Sequence, residues 1–304
     1  MKFGICIPTN LGIENFRALM SIGPKAEELG FDSVWVSEHL FNVGYIGERI
    51  GGRPYYEPLT VLSYLAAMTS RIRLGTSVLV LPYHDPVRLA KVVATLDVAS
   101  GGRVVLGLGV GRIEEEYDAL SISFKERGAI ADEAIEVMKV LWTQEDPAFS
   151  GRYHSFSRVK FAPKPAQKPF PPLWIGGNSP SAMRRAARAG DAWHPTGLSP
   201  NGVRQGLEYV HRMAAQAGRD PSQIPATLLI TWDPSDTSND KASGEGTALA
   251  GTFENIIQRV KEYESAGVEA MAINIASDDP FIIQRHMERF AAEVAASLSV
   301  RSGF

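Results

Sequence analysis

The chain has 304 residues, of which 44% are hydrophobic, and a formal net charge of −3. That length suits one large α/β barrel, which typically needs about 250 residues, or two smaller domains. The charge provides no basic footprint for nucleic acid and no polybasic patch for a membrane, so neither is expected as a partner. The single cysteine, Cys6, excludes an internal disulfide framework and suits a reducing compartment. Since the chain has neither a signal-peptide pattern nor a membrane-length apolar run, we expect a cytoplasmic protein.

Short apolar strands alternate with amphipathic helices along the whole chain. The predicted strands are 3–8, 31–36, 74–81, 104–108, 173–177, 191–194, 226–232 and 268–275. The predicted helices are 14–29, 58–68, 87–99, 131–142, 181–189, 202–217, 254–266 and 280–297. This alternation predicts an α/β protein, a single (β/α)8 TIM barrel that occupies residues 1–304 as one domain. In such a barrel the last strand pairs with the first.

Three segments interrupt the alternation and are predicted to be insertions, at about 40–57, 144–172 and 233–252. The first is too long for a simple connection, and loops of that length usually cover a site. The second contains a possible hairpin around Gly151, and the third is rich in Asp, Ser, Gly and Thr.

Polar residues end the second predicted strand, where 31–36 is followed by Ser37-Glu38-His39. Active sites of parallel α/β proteins form at the carboxyl ends of strands, so Glu38 and His39 are candidates for chemistry. Histidine is also the side chain whose ordinary pKa suits proton exchange near neutrality. A lone histidine can equally be a packed structural residue. The other histidines show no metal-ligand spacing, and no metal site is predicted.

A second candidate site lies in Gly176-Gly177-Asn178-Ser179-Pro180, directly before a predicted helix. Ser179 can cap this helix and Pro180 fits its first position. Two glycines ahead of a helix start leave backbone N–H groups bare, and an anion can bind there. The motif is therefore either a phosphate site or a tight, well-capped turn.

Glycines also end the fourth predicted strand, in Gly107-Leu108-Gly109-Val110-Gly111. The spacing and context do not fit a dinucleotide fingerprint. The glycines have two possible roles. They either let the backbone approach a flat ring, which makes Gly107 and Gly109 candidate cofactor contacts, or they make room in the barrel mouth. The following Glu114-Glu115-Glu116 is predicted to be the solvated first turn of a helix, favoured by its dipole.

Seven stretches of the sequence together carry a family resemblance. They are Gly30–His39, Tyr56–Leu62, Ile72–Leu79, Leu96-Asp97, Ser100–Arg103, Trp174–Asn178 and Gly190–Pro195. Through them the sequence resembles the luciferase-like monooxygenase superfamily, whose members are flavin- and deazaflavin-dependent (β/α)8 barrels. More narrowly, it resembles the actinobacterial branch that uses coenzyme F420.

The resemblance implies roles for individual residues. His39 would lie over the reactive face of the cofactor ring, and Glu38 would contact the cofactor. Ser77 and Val78 would form a bulge with a non-prolyl cis peptide that backs the ring. The loop 176–180 would bind the cofactor phosphate, and Thr196 would add a polar contact.

The implied activity is an F420-dependent oxidoreductase that passes hydride between deazaflavin C5 and a small organic substrate, with His39 exchanging the proton. The alternatives are an FMN-dependent monooxygenase that uses O2 and acts on paired donors, and a non-catalytic flavin-binding barrel. Basic residues at the barrel mouth would favour F420 over FMN, and the candidates are Arg49, Arg53, Arg184 and Arg185. Dimers are common in this superfamily, so a homodimer is implied.

Two departures from the related sugar-phosphate dehydrogenases leave the substrate open. Those enzymes carry acids at the positions of Asn10 and Arg112, so their proton-transfer scheme and their substrate are not expected here.

Overall fold

The structure, a computed structural model, describes residues 1–235 and 247–299. The strands are β1 Lys2–Cys6, β2 Ser33–Val36, β3 Arg73–Thr76, β4 Leu79–Val80, β5 Val104–Gly109, β6 Phe149–Ser150, β7 Ser155–Phe156, β8 Leu173–Gly176, β9 Ala192–His194, β10 Ala226–Trp232, β11 Ala248–Leu249 and β12 Val268–Ile275.

The α-helices follow the same order. They are α1 Phe16–Met20, α2 Ile22–Glu28, α3 Gly44–Ile50, α4 Pro58–Met68, α5 Pro86–Ser100, α6 Glu114–Ala119, α7 Arg127–Thr143, α8 Pro180–Ala189, α9 Pro200–Gln216, α10 Phe253–Ser265, α11 Pro280–Phe290 and α12 Ala296–Ser299. A π-helical turn, Ala291–Ala295, joins the last two. No helix in the described ranges has the length and apolarity that a membrane span needs.

The parallel strands close into an eight-stranded barrel in the order β1-β2-β3-β5-β8-β9-β10-β12. β12 pairs with β1 in parallel, with Ala270 opposite Lys2 and Ile273 opposite Ile5. β10 pairs with both β9 and β12 and so completes the ring. The predicted (β/α)8 fold and the pairing of the last strand with the first are confirmed.

Local departures from the predicted elements have identifiable causes. The single helix predicted over 14–29 is two helices that meet at Ser21. Pro24 lacks an N–H and cannot bond to the carbonyl of Met20, and the Ser21 hydroxyl donates to the Ala18 carbonyl at 2.7 Å. Gly30 then leaves the helix at φ +81°, in the left-handed region that favours glycine.

The predicted strand 74–81 is also divided, into β3 and β4, by a cis peptide bond between Ser77 and Val78. This bond is the one that the resemblance implied. In the first insertion the chain forms helix α3, and in the second β6 and β7 form the expected antiparallel hairpin. Within the third, 236–246 lies outside the described residues.

Large rings fill the inside of the barrel beneath its mouth. Trp35 stacks on Trp174 with ring centroids 4.6 Å apart, and on His194 at 5.8 Å. Glycine on the neighbouring strand makes this possible, because a Cβ on Gly75 would lie 2.2 Å from the Trp35 ring. Trp35 thus forms the floor of the barrel mouth.

We expect Gly75→Ala to lower the free energy of unfolding by about 1–3 kcal/mol, because the added methyl overpacks the Trp35 ring. Gly52→Ala is the matched control, since a Cβ there meets nothing within 4 Å. Urea denaturation followed by Trp fluorescence measures both. Equal stability of Gly75→Ala and the control would contradict the packing.

Candidate active site

A cavity of about 290 Å³ opens at the carboxyl ends of the barrel strands. Seven of the residues predicted from the sequence line it together: Glu38, His39, Ser77, Val78, Gly176, Gly177 and Thr196. These residues come from four different strand ends, as the active-site edge of a (β/α)8 barrel requires. The remaining predicted residues do not line this cavity: Gly107, Gly109, Asn178, Ser179 and Pro180.

His39 is held by hydrogen bonds on both sides of its ring. Its Nδ1 lies 2.7 Å from Oε2 of Glu116, and its Nε2 lies 2.9 Å from the hydroxyl of Tyr45. The His39 side chain is 13% exposed, so it reaches the cavity while remaining packed. Tyr55 covers the ring edge-on, with centroids 5.8 Å apart.

Glu114, Glu115 and Glu116 form the first turn of α6 as predicted, with Glu114 and Glu115 exposed, but the prediction that Glu116 is solvated is wrong because it is buried. Its side chain is 0% exposed. Besides His39, it accepts hydrogen bonds from the backbone N–H groups of Leu40, at 2.6 Å, and Phe41, at 3.1 Å, and from the hydroxyl of Tyr83 at 2.8 Å. Burial raises the pKa of the Glu116 carboxyl, but the bonds from His39, Leu40 and Tyr83 outweigh burial and lower it. Glu116 is therefore an ionised carboxylate behind His39.

Glu38 is the second buried carboxylate at the mouth, and it fixes the backbone after the cis bond. Its Oε2 accepts from the Val80 N–H at 2.6 Å, and its Oε1 lies 2.8 Å from Nε2 of His84. Each oxygen thus already has a protein partner. Glu38 lines the cavity, and its contact with a cofactor stays a prediction.

His194 anchors Ser77 from below. Its Nε2 lies 2.9 Å from the Ser77 hydroxyl, and its Nδ1 lies 2.7 Å from the hydroxyl of Thr227. The imidazole also stacks on Trp35, contacts Trp174 at a tilt of 42° and is only 3% exposed. Burial lowers the pKa of His194 to about 4, so the ring is neutral at physiological pH.

The glycines of β5 and β8 make room for Val78. A Cβ on Gly109 would lie 2.5 Å from a Val78 methyl, and one on Gly176 would lie 2.8 Å from the other methyl. A Cβ on Gly107 would lie 1.9 Å from the carbonyl oxygen of Thr76. Of the two interpretations of Gly107 and Gly109, space in the barrel mouth is the one that these contacts support, and direct contact with a cofactor stays a prediction.

The loop before α8 has the predicted cap. Ser179 Oγ accepts from the Ala182 N–H at 3.2 Å, and Pro180 is the first helical residue. Gly177 has φ +112° and lines the cavity, so the positive end of the α8 dipole adjoins the cavity wall. The Asn178 side chain bonds the backbone of Thr196 in both directions, at 2.7 and 3.2 Å, and this holds Thr196 beside the cavity.

Of the basic residues predicted near the mouth, Arg49 lines the cavity. Arg185 instead packs against α7, where it donates to Asp132 at 2.5 Å, and Arg184 donates to the Tyr209 hydroxyl on α9 at 3.0 Å. Arg53 donates to the carbonyls of Ile50 and Arg49. Arg112, at a position where the related sugar-phosphate dehydrogenases carry an acid, also lines the cavity.

Sequence reasoning missed Glu116, Tyr45 and His194 as site residues. A signal for Glu116 was present: Ile113, Glu116 and Tyr117 have helical i, i+3, i+4 spacing, which places the acid on the apolar face of its helix. Tyr45 lies in the first insertion and His194 ends a predicted strand, but neither position reveals its partner. Within the described residues, no group of His, Cys, Asp and Glu could hold a metal ion.

Comparison with known proteins identifies the family. The model of the luciferase-like monooxygenase family matches residues 1–240. The chain belongs to this family.

Relatives within the luciferase-like monooxygenase family include different oxidoreductases. Over 226 residues the chain is 33% identical to an F420-dependent glucose-6-phosphate dehydrogenase of Kineococcus radiotolerans, an alignment that covers 70% of this chain and 62% of that protein. It is 28% identical over 280 residues to an FMNH2-dependent dimethylsulfone monooxygenase of Pseudomonas putida, covering 82% and 74%. The crystal structure of monooxygenase RslO1 from Streptomyces bottropensis is similar, with a TM-score of 0.82, 25% identity and coverage of 98% and 100%.

Because His194 is neutral in the fold, stability should fall in acid. The unfolded imidazole binds a proton below its ordinary pKa of about 6.5, whereas the folded one does so only below about 4. Stability is therefore complete above about pH 6.5 and is lost as the pH falls toward 4, by about 3 kcal/mol. Denaturant titrations from pH 7 to 4.5 should show this decline, and His194→Gln should flatten it. An unchanged slope in His194→Gln would assign the acid loss to other groups.

Proposed function

We propose that this protein is an F420-dependent oxidoreductase that transfers hydride between the deazaflavin and a small organic substrate. The observation that carries the proposal is the pairing of His39 with an ionised, buried Glu116 on the wall of a cavity at the barrel mouth. When bound, the deazaflavin exchanges a hydride at its C5. A hydride must be balanced by a proton, and a histidine backed by a carboxylate is suited to move one.

The residues around the cavity fit such a cofactor. Gly176 and Gly177 precede the capped start of α8, where backbone N–H groups and the helix dipole favour a phosphate. Ser77 and Val78 form a wall whose backbone is fixed from two sides, by Glu38 through Val80 and by His194 through Ser77. Arg49 and Arg112 provide positive charge for the anionic tail that distinguishes F420 from FMN. Thr196 adds the further polar contact.

Relatives support F420 without fixing the substrate. The Kineococcus radiotolerans relative is an F420-dependent glucose-6-phosphate dehydrogenase. In this chain Asn10 and Arg112 stand on the cavity wall, where the related sugar-phosphate dehydrogenases carry acids. A different substrate is therefore proposed, with proton transfer assigned to the His39 side of the cavity.

The second candidate is an FMN-dependent monooxygenase that uses O2. It is favoured by the Pseudomonas putida relative, whose alignment covers 82% of this chain, and by the RslO1 fold. Both cofactors need a phosphate site and a flat slot, so the same cavity could serve either one.

Fluorescence titration with F420 and, separately, with FMN distinguishes these candidates. We expect F420 to bind at least about tenfold more tightly, which corresponds to about 1.4 kcal/mol. Tighter binding of FMN would support the monooxygenase, and binding of neither would contradict both.

The phosphate position is tested by two substitutions at Gly177. Its φ of +112° strains any L-residue, and a Cβ here would lie 3.0 Å from the Cβ of Ala182, so Gly177→Ala measures backbone strain and this contact without added charge. Gly177→Asp adds a carboxylate at the proposed phosphate position, and we expect it to weaken F420 binding at least about tenfold beyond Gly177→Ala by charge repulsion. Equal affinities in the titration would place the phosphate elsewhere.

A further inference from the structure

Both ring nitrogens of His39 are already occupied by protein groups. Nδ1 lies 2.7 Å from Glu116 Oε2, and Nε2 lies 2.9 Å from the Tyr45 hydroxyl. A histidine that gave its proton directly to a substrate would need a ring nitrogen free to face that substrate. On the Nε2 side, the phenol of Tyr45 lies between the imidazole and solvent.

The charge on Glu116 decides how the protons are arranged. An ionised carboxylate accepts hydrogen bonds and donates none, so Nδ1 of His39 donates to it. In the neutral imidazole Nε2 is then an acceptor, and the Tyr45 hydroxyl donates to it. The three groups form one directed chain, Tyr45 to His39 to Glu116. The burial of Glu116 strengthens the chain, because water does not compete at its inner end.

Tyr45 forms the cavity end of this chain. It lies on α3 in the first insertion, is 37% exposed and lines the cavity. The Arg112 guanidinium lies over its ring, 4.4 Å from the centroid. Arg112 and Arg49 are the charged side chains that line the cavity beside Tyr45, apart from the His39 and Glu38 already described. Tyr45 therefore carries the hydroxyl of the chain that lies at the cavity, beside a cationic side chain.

We propose that Tyr45 exchanges the proton with the substrate, and that His39 and Glu116 relay and stabilise that proton; this rests on the proposed function. With an alcohol substrate, a bound oxidised deazaflavin would accept the hydride that leaves the substrate C–H bond. The O–H proton passes to the Tyr45 oxygen while the Tyr45 proton passes to Nε2 of His39. The substrate becomes a carbonyl compound, and the imidazolium is paired with Glu116. Reduction of a carbonyl is the reverse.

Tyr55 shows that covering His39 does not require this bond. Tyr55 packs edge-on against the same imidazole, yet its hydroxyl bonds the Ser37 hydroxyl at 2.8 Å. Packing alone therefore does not explain why the Tyr45 hydroxyl is directed at Nε2.

An NMR titration of the cofactor-free full-length chain tests the relay. The titration covers about pH 5 to 8, where a histidine and not a phenol ordinarily changes its protonation. With ¹³Cζ-labelled tyrosine and ¹⁵N-labelled histidine, the Tyr45 signal, identified by Tyr45→Phe, should follow the His39 signals, identified by His39→Gln. This change of the Tyr45 signal should be absent in His39→Gln. A Tyr45 signal that does not follow His39 in this pH range, or that still changes in His39→Gln, would overturn the proposal.

Turnover of F420-loaded protein, with 2-propanol as the probe alcohol, gives a second readout. We expect Tyr45→Phe to lose at least about a hundredfold in rate, the usual range for a proton-transfer group, while F420 affinity stays within about twofold. Tyr64→Phe removes a hydroxyl from an exposed tyrosine on α4 and should match the wild type. Wild-type turnover in Tyr45→Phe would overturn the proposal.

The two proposals can fail separately. The NMR titration needs neither cofactor nor substrate, so it decides the Tyr45 relay even where F420 does not bind. Absent F420 binding together with a coupled titration would overturn the proposed function and leave the relay in place. Tight F420 binding without a coupled titration of Tyr45 and His39 would overturn the relay and leave the proposed function in place.

Discussion

The hydrogen bond between His39 and Glu116 is the interaction on which the site depends. It joins the segment that follows β2 to α6, through two residues that are 77 positions apart in the chain. The same carboxylate accepts hydrogen bonds from the N–H groups of Leu40 and Phe41, so it also fixes the start of the first insertion, residues 40–57. A buried charge is tolerated only where it is fully hydrogen-bonded, and Glu116 meets that condition with four donors. The same carboxylate therefore fixes both the position of His39 and the start of the first insertion.

The part of the cavity wall formed by Ser77 and Val78 is held by buried partners in the same way. Glu38 holds Val80, and neutral His194 holds Ser77, on the two sides of the Ser77–Val78 bond. Val78 in turn fills the space that the glycines of β5 and β8 leave open. Ser77 and Val78 on one part of the lining and His39 on another are thus each held by buried partners. Such support suits cofactor binding, because supported side chains keep their geometry during turnover.

Much of this could be predicted from the sequence, because it depends on local pattern. The strand–helix alternation, the pairing of β12 with β1, the cap at Ser179 and the position of His39 all follow from periodicity and chain order. The burial of Glu116 was missed because acids at a helix start are usually solvated, and its partner is distant in sequence. The packing role of Gly107 and Gly109 was only one of two interpretations, since it depends on the Thr76 carbonyl and the Val78 side chain, which come from a different part of the chain. Tertiary contacts decided both cases.

The central claim is that the cavity lined by His39, Ser77 and Gly177 is an F420 site. A crystal structure of the protein with oxidised F420 tests it most directly. The account predicts the deazaflavin ring against the Ser77–Val78 wall, with His39 and Tyr45 on the other side and a phosphate at Gly176 and Gly177. A ring bound elsewhere, or a phosphate away from the start of α8, would contradict it.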